Sequence, residues 1–279
     1  MFTGHSIGII GAGNMGEILI KGILRGELLP AERIIASDLG ADKLAGIAKN
    51  YGVRTTADNR ELVRETSIVL LAVKPQNVTH VLKGIGDELD SNHLLISIAA
   101  GVSTGTLHKL AGNGSRLVRV MPNAPAMVGE GMSVLCPAQN VGEDDLALAR
   151  EIFDSIGRSV VLHDESLMDV VTGLSGSGPA FIFMMIEALS DAGVQLGLSR
   201  KVSNLLSAQT VLGAAKMFID TGRHAGYLKD LVATPGGTTF AGLKELERGN
   251  FRSTMMEAVE AATRRSRELG LLREQEQED

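Results

Sequence analysis

Ile7-Gly-Ile-Ile-Gly11-Ala-Gly13-Asn-Met-Gly16 runs from an apolar strand into G-x-G-x-x-G and then into a helical segment over residues 14–25. Each glycine has a task that a Cβ would spoil. Gly11 makes the tight turn, Gly13 lets the backbone approach a pyrophosphate, and Gly16 permits close packing of helix on strand. The free N–H groups and positive end of the helix then suit phosphate oxygens. A glycine triplet alone also marks ordinary turns. It carries weight here because it follows an apolar strand and opens a helix, as a dinucleotide-binding turn must.

Outward from this motif, short apolar runs alternate with helical segments as far as residue 163, the pattern of a parallel sheet covered by helices on both faces. Strands are predicted at residues 7–10, 33–37, 67–73, 94–99, 116–121, 132–136 and 159–162. A helix is predicted over 143–156, with Leu146, Ala149, Ile152, Phe153 and Ile156 on one face, an acidic opening, and Gly157 as a left-handed stop. After His163 the β-branched runs cease, and segments rich in alanine, leucine and methionine predict helices such as 199–220 and 251–269. The expected fold class is therefore α/β. A Rossmann-type, doubly wound, mostly parallel sheet occupies residues 1–163, and an all-α domain occupies 164–279. Residues 179–192 are apolar nearly all round, which predicts burial between helices or across a subunit interface, and with it a dimer. The polar tail from Arg273 to Asp279 is expected to fray.

Composition narrows the partners. With 279 residues, 44% hydrophobic and 22% charged, the chain can bury one large core or two ordinary ones. A formal charge of -6 argues against nucleic acid or an anionic membrane as the main partner, and for a small molecule. The single cysteine, Cys136, allows no intrachain disulfide framework or cysteine cluster, which fits a reducing compartment such as the cytoplasm. In an apolar strand it reads as a small buried hydrophobe. Residues 1–5 lack the pattern of a signal peptide, and the longest strongly apolar run, 181–189, is about half of what a bilayer span requires, so no membrane is expected. His5, His80, His93, His108, His163 and His224 show no ligand spacing, so no metal is expected.

The second strand ends Ile34-Ile-Ala-Ser37-Asp38. An acid at this point accepts from the ribose hydroxyls of NAD and repels the extra phosphate of NADP. Ser37 is able to hydrogen-bond a phosphate, but no arginine stands beside it, and Lys43 is the nearest cation. Asp38 also reads as a plain turn residue facing solvent, and both readings stand at this level.

Four further segments stand beside the glycine motif, Leu71-Ala-Val-Lys-Pro75, Ser97-Ile-Ala-Ala-Gly101, Gly173-Leu-Ser-Gly-Ser-Gly-Pro179 and Leu228-Lys-Asp-Leu-Val-Ala-Thr-Pro-Gly-Gly-Thr-Thr239, and the last two are more specific than it. In order and spacing they resemble the pyrroline-5-carboxylate reductase family along essentially the whole chain. The resemblance implies reduction of the cyclic imine 1-pyrroline-5-carboxylate to L-proline by NADPH or NADH. It implies a cofactor site lined by Gly11, Ala12, Gly13, Asn14, Met15, Gly16, Ser37, Asn59, Ala72, Val73, Lys74, Pro75, Ala99, Ala100 and Gly101, with Asp38 beside them. It places the substrate on Ser175, Gly176, Ser177, Gly178, Thr234, Gly236, Gly237, Thr238 and Thr239. It also implies a homodimer with interleaved C-terminal helices, in this family often assembled further into a decamer. Asp38 departs from the NADP preference common in the family.

The chemistry suits these residues. A protonated imine is already a strong electrophile, so a hydroxyl that orients the ring nitrogen suffices. Thr239 is the candidate by resemblance, with Thr238 as its neighbour. Neither substrate segment offers a His-Asp or Lys-Asp pair of the kind an alcohol dehydrogenation needs. Pro235-Gly-Gly-Thr-Thr239 precedes a predicted helix over 240–248 that Gly249-Asn250 closes, and residues 175–179 precede the apolar helix. Each reads singly as a cap or turn; together they read as an anion site. Lys74 is expected to act through its backbone, and Lys229-Asp230 to be a local ion pair. Two other readings remain: another imine or β-hydroxy-acid reductase of the same plan, and a non-catalytic NAD(P)H sensor. The hydroxy-acid class calls for a lysine near residues 173–179, and none is present.

Overall fold

The computed structural model describes residues 2–112 and 114–278. Eight strands form one sheet: β1 Ile7–Ile10, β2 Ile34–Ser37, β3 Arg54–Thr56, β4 Ile68–Leu71, β5 Leu94–Ser97, β6 Arg116–Met121, β7 Gly131–Pro137 and β8 Gly157–Val161. Their order is β3-β2-β1-β4-β5-β6-β7-β8, and every neighbouring pair is parallel except β6 with β7. The expected strands are present with small shifts at their ends, most of them shorter or unchanged and β7 and β8 longer. β3 escaped the sequence because Arg-Thr-Thr carries no apolar run; as an edge strand it has no buried face to advertise.

Six helices flank the sheet: α1 Asn14–Arg25, α2 Ala41–Tyr51, α3 Asn59–Glu65, α4 Val78–Ile85, α5 Thr104–Ala111 and α6 Glu143–Asp154. Strand side chains alternate between two cores. Ile7, Ile9, Ile34, Ile68, Leu70 and Ile96 pack with α1, α2 and α6, whereas Ile10, Ile35, Val69, Leu71 and Leu95 pack with α3, α4 and α5. In register, Ile10 pairs with Ser37 on one side and Leu71 on the other, so the residues that follow all emerge at one edge of the sheet. Strand order reverses at β1 and β4, which opens a crevice there.

Gly157 is not the stop of α6, as the sequence suggested. Ser155 caps that helix, and Gly157 begins β8 at φ 155°, where a Cβ would lie 2.0 Å from the carbonyl oxygen of Gly131. Close backbone approach, not helix termination, demands glycine here.

Helices continue with α7 Met168–Val171, a π-helical turn Thr172–Gly176, α8 Gly178–Gln195, α9 Arg200–Thr221, α10 Ala225–Val232, α11 Thr238–Arg248 and α12 Phe251–Glu278. The expected boundary at residue 163 shifts. One compact unit comprises Met1–Gly176 with Ala261–Asp279, and the other Ser177–Glu260. Sequence shows where strands end but not where helices dock. Met168 packs with Val134 and Cys136, and the Ser266 hydroxyl donates to Asp169 over 2.6 Å, joining α7 and the end of α12 to the sheet unit. Backbone helix runs to Glu278, and the Arg273 guanidinium donates to the Ala100 carbonyl over 2.6 Å; Asp279 lies outside the described residues.

The apolar segment also differs from expectation. Glu165–Gln195 form a helical stretch of 31 residues, long and apolar enough by length and composition to cross a membrane. Within its own unit α8 packs on α9, with Ser190 bonded to Asn204, while Phe183 and Met184 stay 65% and 73% exposed. Of the two expected modes of burial, the single chain does not supply packing between helices over this face, and the subunit-interface mode stands.

Gly157→Ala is expected to destabilise the sheet unit by on the order of 3 kcal/mol, since backbone atoms of Gly131 have nowhere to move. Urea unfolding checks this; an unchanged midpoint would show that β7 and β8 separate without cost.

Candidate functional site

The turn after β1 is built by backbone contacts on both sides. The Gly11 N–H donates to the Ser37 carbonyl over 2.8 Å, and the Ala72 N–H donates to the Ile10 carbonyl over 2.8 Å. Gly11 sits at φ 104°, and a Cβ there would meet the Ala72 carbonyl oxygen at 2.6 Å. At Gly16 a Cβ would stand 2.0 Å from the Gly11 carbonyl oxygen, so this glycine lets α1 start against the turn. Gly13 is different. Nothing lies within 4 Å of its missing Cβ, and as the N-cap of α1 it has no side chain to cover the first-turn N–H groups. That opening fits a pyrophosphate.

A cavity of about 770 Å³ extends from this turn, lined by Gly11, Gly13, Ser37, Asp38, Asn59, Ala72, Val73 and Lys74 among the residues singled out by sequence. Gln76, Asn77, His80 and Val81, around the start of α4, line it too and carried no motif. The other expected cofactor residues take different places. Ala12 gives its N–H to Asp38 Oδ2 over 3.1 Å, while Asn14 and Met15 open α1. Pro75 starts a short 3₁₀ turn. Ala99, Ala100 and Gly101 follow β5 and do not line the cavity; Ala99 is buried, and Gly101 turns at φ 70° under the Arg273 guanidinium.

Ser37 is buried, and its hydroxyl donates to Asn59 Oδ1 over 2.6 Å. Asp38 is not a free turn residue. Its Oδ1 accepts from the Gly40 N–H over 2.9 Å, and Lys43 Nζ stands 3.5 Å away.

At the far end of the same unit, Glu165 accepts from the Thr104 N–H and from Arg119 Nη1, each over 2.7 Å, and from the Thr104 hydroxyl. Burial pushes the Glu165 carboxyl up, but the bonds from Thr104 and Arg119 outweigh it and hold the group below the usual carboxylate range. Burial, and then the Glu165 charge, push the nearby Cys136 thiol up, so it stays protonated and unreactive. Asn123 Nδ2 donates to the Ser175 carbonyl over 3.1 Å and to its hydroxyl over 3.2 Å, which fixes the π-helical turn. The expected helix start at residues 175–179 is present, and it follows directly on this π-helical turn. Helical turns arrive from α7, and Pro179, which has no N–H to donate, sits in the first turn of α8, where none is needed. Ser177 caps α8 without a side-chain bond, and Gly178 begins it.

The second segment keeps its predicted form. Thr234 accepts at its carbonyl from the Gly237 N–H over 2.9 Å, Gly236 turns at φ 70°, and Gly237 is the N-cap of α11 with no side chain over the helix start. Thr238 opens α11, and the hydroxyl of Thr239 donates to the Val232 carbonyl over 3.3 Å. Its oxygen is thereby left as an acceptor. Lys229 and Asp230 lie 3.8 Å apart with both side chains well exposed, as a local pair should.

Residues 165–269 match the family model described as pyrroline-5-carboxylate reductase dimerisation, and residues 6–101 match the model described as NADP oxidoreductase, coenzyme F420-dependent. A pyrroline-5-carboxylate reductase of Methanosarcina acetivorans is 48% identical over 95% of this chain and 98% of its own. The chain belongs to the pyrroline-5-carboxylate reductase family. Among solved family members, that of Coxiella burnetii is 39% identical with a TM-score of 0.91, over 95% of this chain and 98% of that one. The Plasmodium falciparum enzyme, solved with NADP bound, is 37% identical with a TM-score of 0.85, over 96% and 98%. The family's dimerisation region contains both the exposed face of α8 and the turn before α11.

Gly13→Ala is expected to leave stability within about 1 kcal/mol, because the added methyl meets open space, while dinucleotide affinity falls at least about tenfold. Thermal melts beside cofactor titrations check both halves; unchanged affinity would move the pyrophosphate elsewhere. Glu165→Gln is expected to cost about 2 to 3 kcal/mol near neutral pH by leaving Arg119 poorly matched. Since the folded-state pKa of Glu165 is depressed, its contribution is present above the unfolded value near 4.5 and is lost as pH falls through the folded value. The gap between wild type and variant should close below that pH in urea titrations, and a pH-independent gap would refute the assignment.

Proposed function

We propose that this chain reduces 1-pyrroline-5-carboxylate to L-proline with NADPH or NADH, the final step of proline synthesis. The observation that carries the reading is the Thr239 hydroxyl at the start of α11: its proton is engaged by Val232, and its oxygen is left to accept. A protonated cyclic imine presents a single N–H, which needs such an acceptor to be oriented. Thr239 is then a catalytic residue that positions the iminium nitrogen without moving a proton. The first-turn N–H groups of α11, which no side chain caps, and the positive end of that helix suit the substrate carboxylate. Thr234 and Gly236 shape that turn, and Ser175, Gly176, Ser177 and Gly178 supply further substrate contacts. The nicotinamide, when bound, supplies hydride to the imine carbon. Orientation of the reactants accounts for most of the rate.

The glycine turn holds the pyrophosphate through Gly11, Gly13, Asn14 and Met15, with Gly16 and Ala12 supporting it. Asn59, Ala72, Val73, Lys74 and Pro75 border the dinucleotide, and Ala99, Ala100 and Gly101 form a further wall. Ser37 acts indirectly, through Asn59. The chain works as a homodimer in the cytoplasm, with dimers able to assemble into a decamer. The exposed Ile182, Phe183, Met184 and Leu189 of α8 favour a second copy as their cover. Glu187 and Asp191 on the same helix make a bilayer the costlier choice, at about 3 kcal/mol for each charge at its centre.

Oxidation of NADH or NADPH, followed by absorbance in the presence of 1-pyrroline-5-carboxylate, should proceed with at least one of the two. Thr239→Ala should lower kcat/KM about 10- to 100-fold, the worth of one hydrogen bond to a charged group, and Thr239→Ser should retain most of it. Absence of turnover with either cofactor, in a protein that binds them, would point to a sensor.

A further inference from the structure

We infer that Asp38 fills, with its own carboxylate, the place that the 2′-phosphate of NADP would need, so that this chain selects NADH. The inference rests on the dinucleotide reading of the cleft and not on the imine. Three donors surround that carboxylate: the Gly40 N–H at 2.9 Å from Oδ1, the Ala12 N–H at 3.1 Å from Oδ2, and Lys43 Nζ at 3.5 Å from both oxygens. Two backbone N–H groups and an ammonium are the donor set of a small anion site. Here an internal anion takes them.

Asp38 is held firmly, with its side chain only 15% exposed, whereas Lys43 is 59% exposed and free to swing. Both line the cavity that starts at Gly11 and Gly13. A carboxylate offers about four lone-pair sites, so capacity remains for a ribose hydroxyl. A phosphate on that hydroxyl would instead bring a second anion against a fixed one. No arginine lines the cavity among the described residues, and the buried Ser37 has already given its proton to Asn59. Removing the charge of Asp38 would return the same donors, Lys43 above all, to an incoming phosphate.

Calorimetric titration of AMP and of 2′,5′-ADP isolates this difference, because the two probes differ only by the 2′-phosphate. Wild type is expected to bind AMP at least about tenfold more tightly than 2′,5′-ADP. Asp38→Asn, which keeps the shape and removes the charge, should raise affinity for 2′,5′-ADP about tenfold, and adding Lys43→Ala should cancel that gain. Fluorescence titrations of NADH and NADPH should follow the same order. Wild type that binds 2′,5′-ADP as tightly as AMP, or more so, overturns the inference without any variant having to fold. An Asp38→Asn chain that loses both probes equally also overturns it, by making the residue a turn anchor alone. A chain that selects AMP yet reduces no imine would keep this inference and lose the proposed reaction; one that reduces the imine but selects 2′,5′-ADP would do the reverse.

Discussion

Everything at the cofactor end depends on one close approach, that of the first turn of α1 to the turn that ends β1. With a Cβ on Gly16 only 2.0 Å from the Gly11 carbonyl oxygen, any side chain there would push the helix off the sheet. The approach aims the start of α1 at the crevice between β1 and β4, where strand order reverses. It also lets the half-buried Asp38 carboxylate, just after β2, reach back to the Ala12 N–H, so the turn and the end of the second strand are tied together before any ligand arrives. A site prepared in this way loses little further order when a dinucleotide binds.

The opposite margin of the sheet unit is held by polar bonds inside a mostly apolar surround. Glu165 joins β6 to the start of α5 through Arg119 and Thr104, and Asn123 holds the π-helical turn at Ser175. The end of α12 returns to the same unit through Ser266 and Arg273. Such bonds are directional, so they determine where loops sit more sharply than apolar packing does. They therefore set the position of the 99–101 and 172–176 segments, while the bulk of the stability comes from the two cores on either face of the sheet.

Much of this was legible in the chain. Periodicity located seven of the eight strands because they carry apolar runs, most of them buried on both faces, and missed β3, an edge strand without such a run. The glycine motif revealed the turn, and the LAVKP segment revealed the second border of the cleft. Gln76, Asn77, His80 and Val81 were illegible, because they reach the cleft only through the way α4 lies against β1 and β4. Gly157 was misread, since a glycine after a helix looks the same whether it stops the helix or admits a neighbouring strand.

Sequence alone determined the α/β class, the nucleotide turn, the helical second half and the family, since these follow from local steric rules and from spacing along one chain. Tertiary structure alone decided that Ser37 gives its proton to Asn59 and that the Asp38 carboxylate is enclosed by Ala12, Gly40 and Lys43. It also decided that residues 165–176 and the end of α12 belong with the sheet. Those outcomes depend on which donors and acceptors distant segments bring within 3 Å or so of one another, and no pattern along the chain encodes that distance.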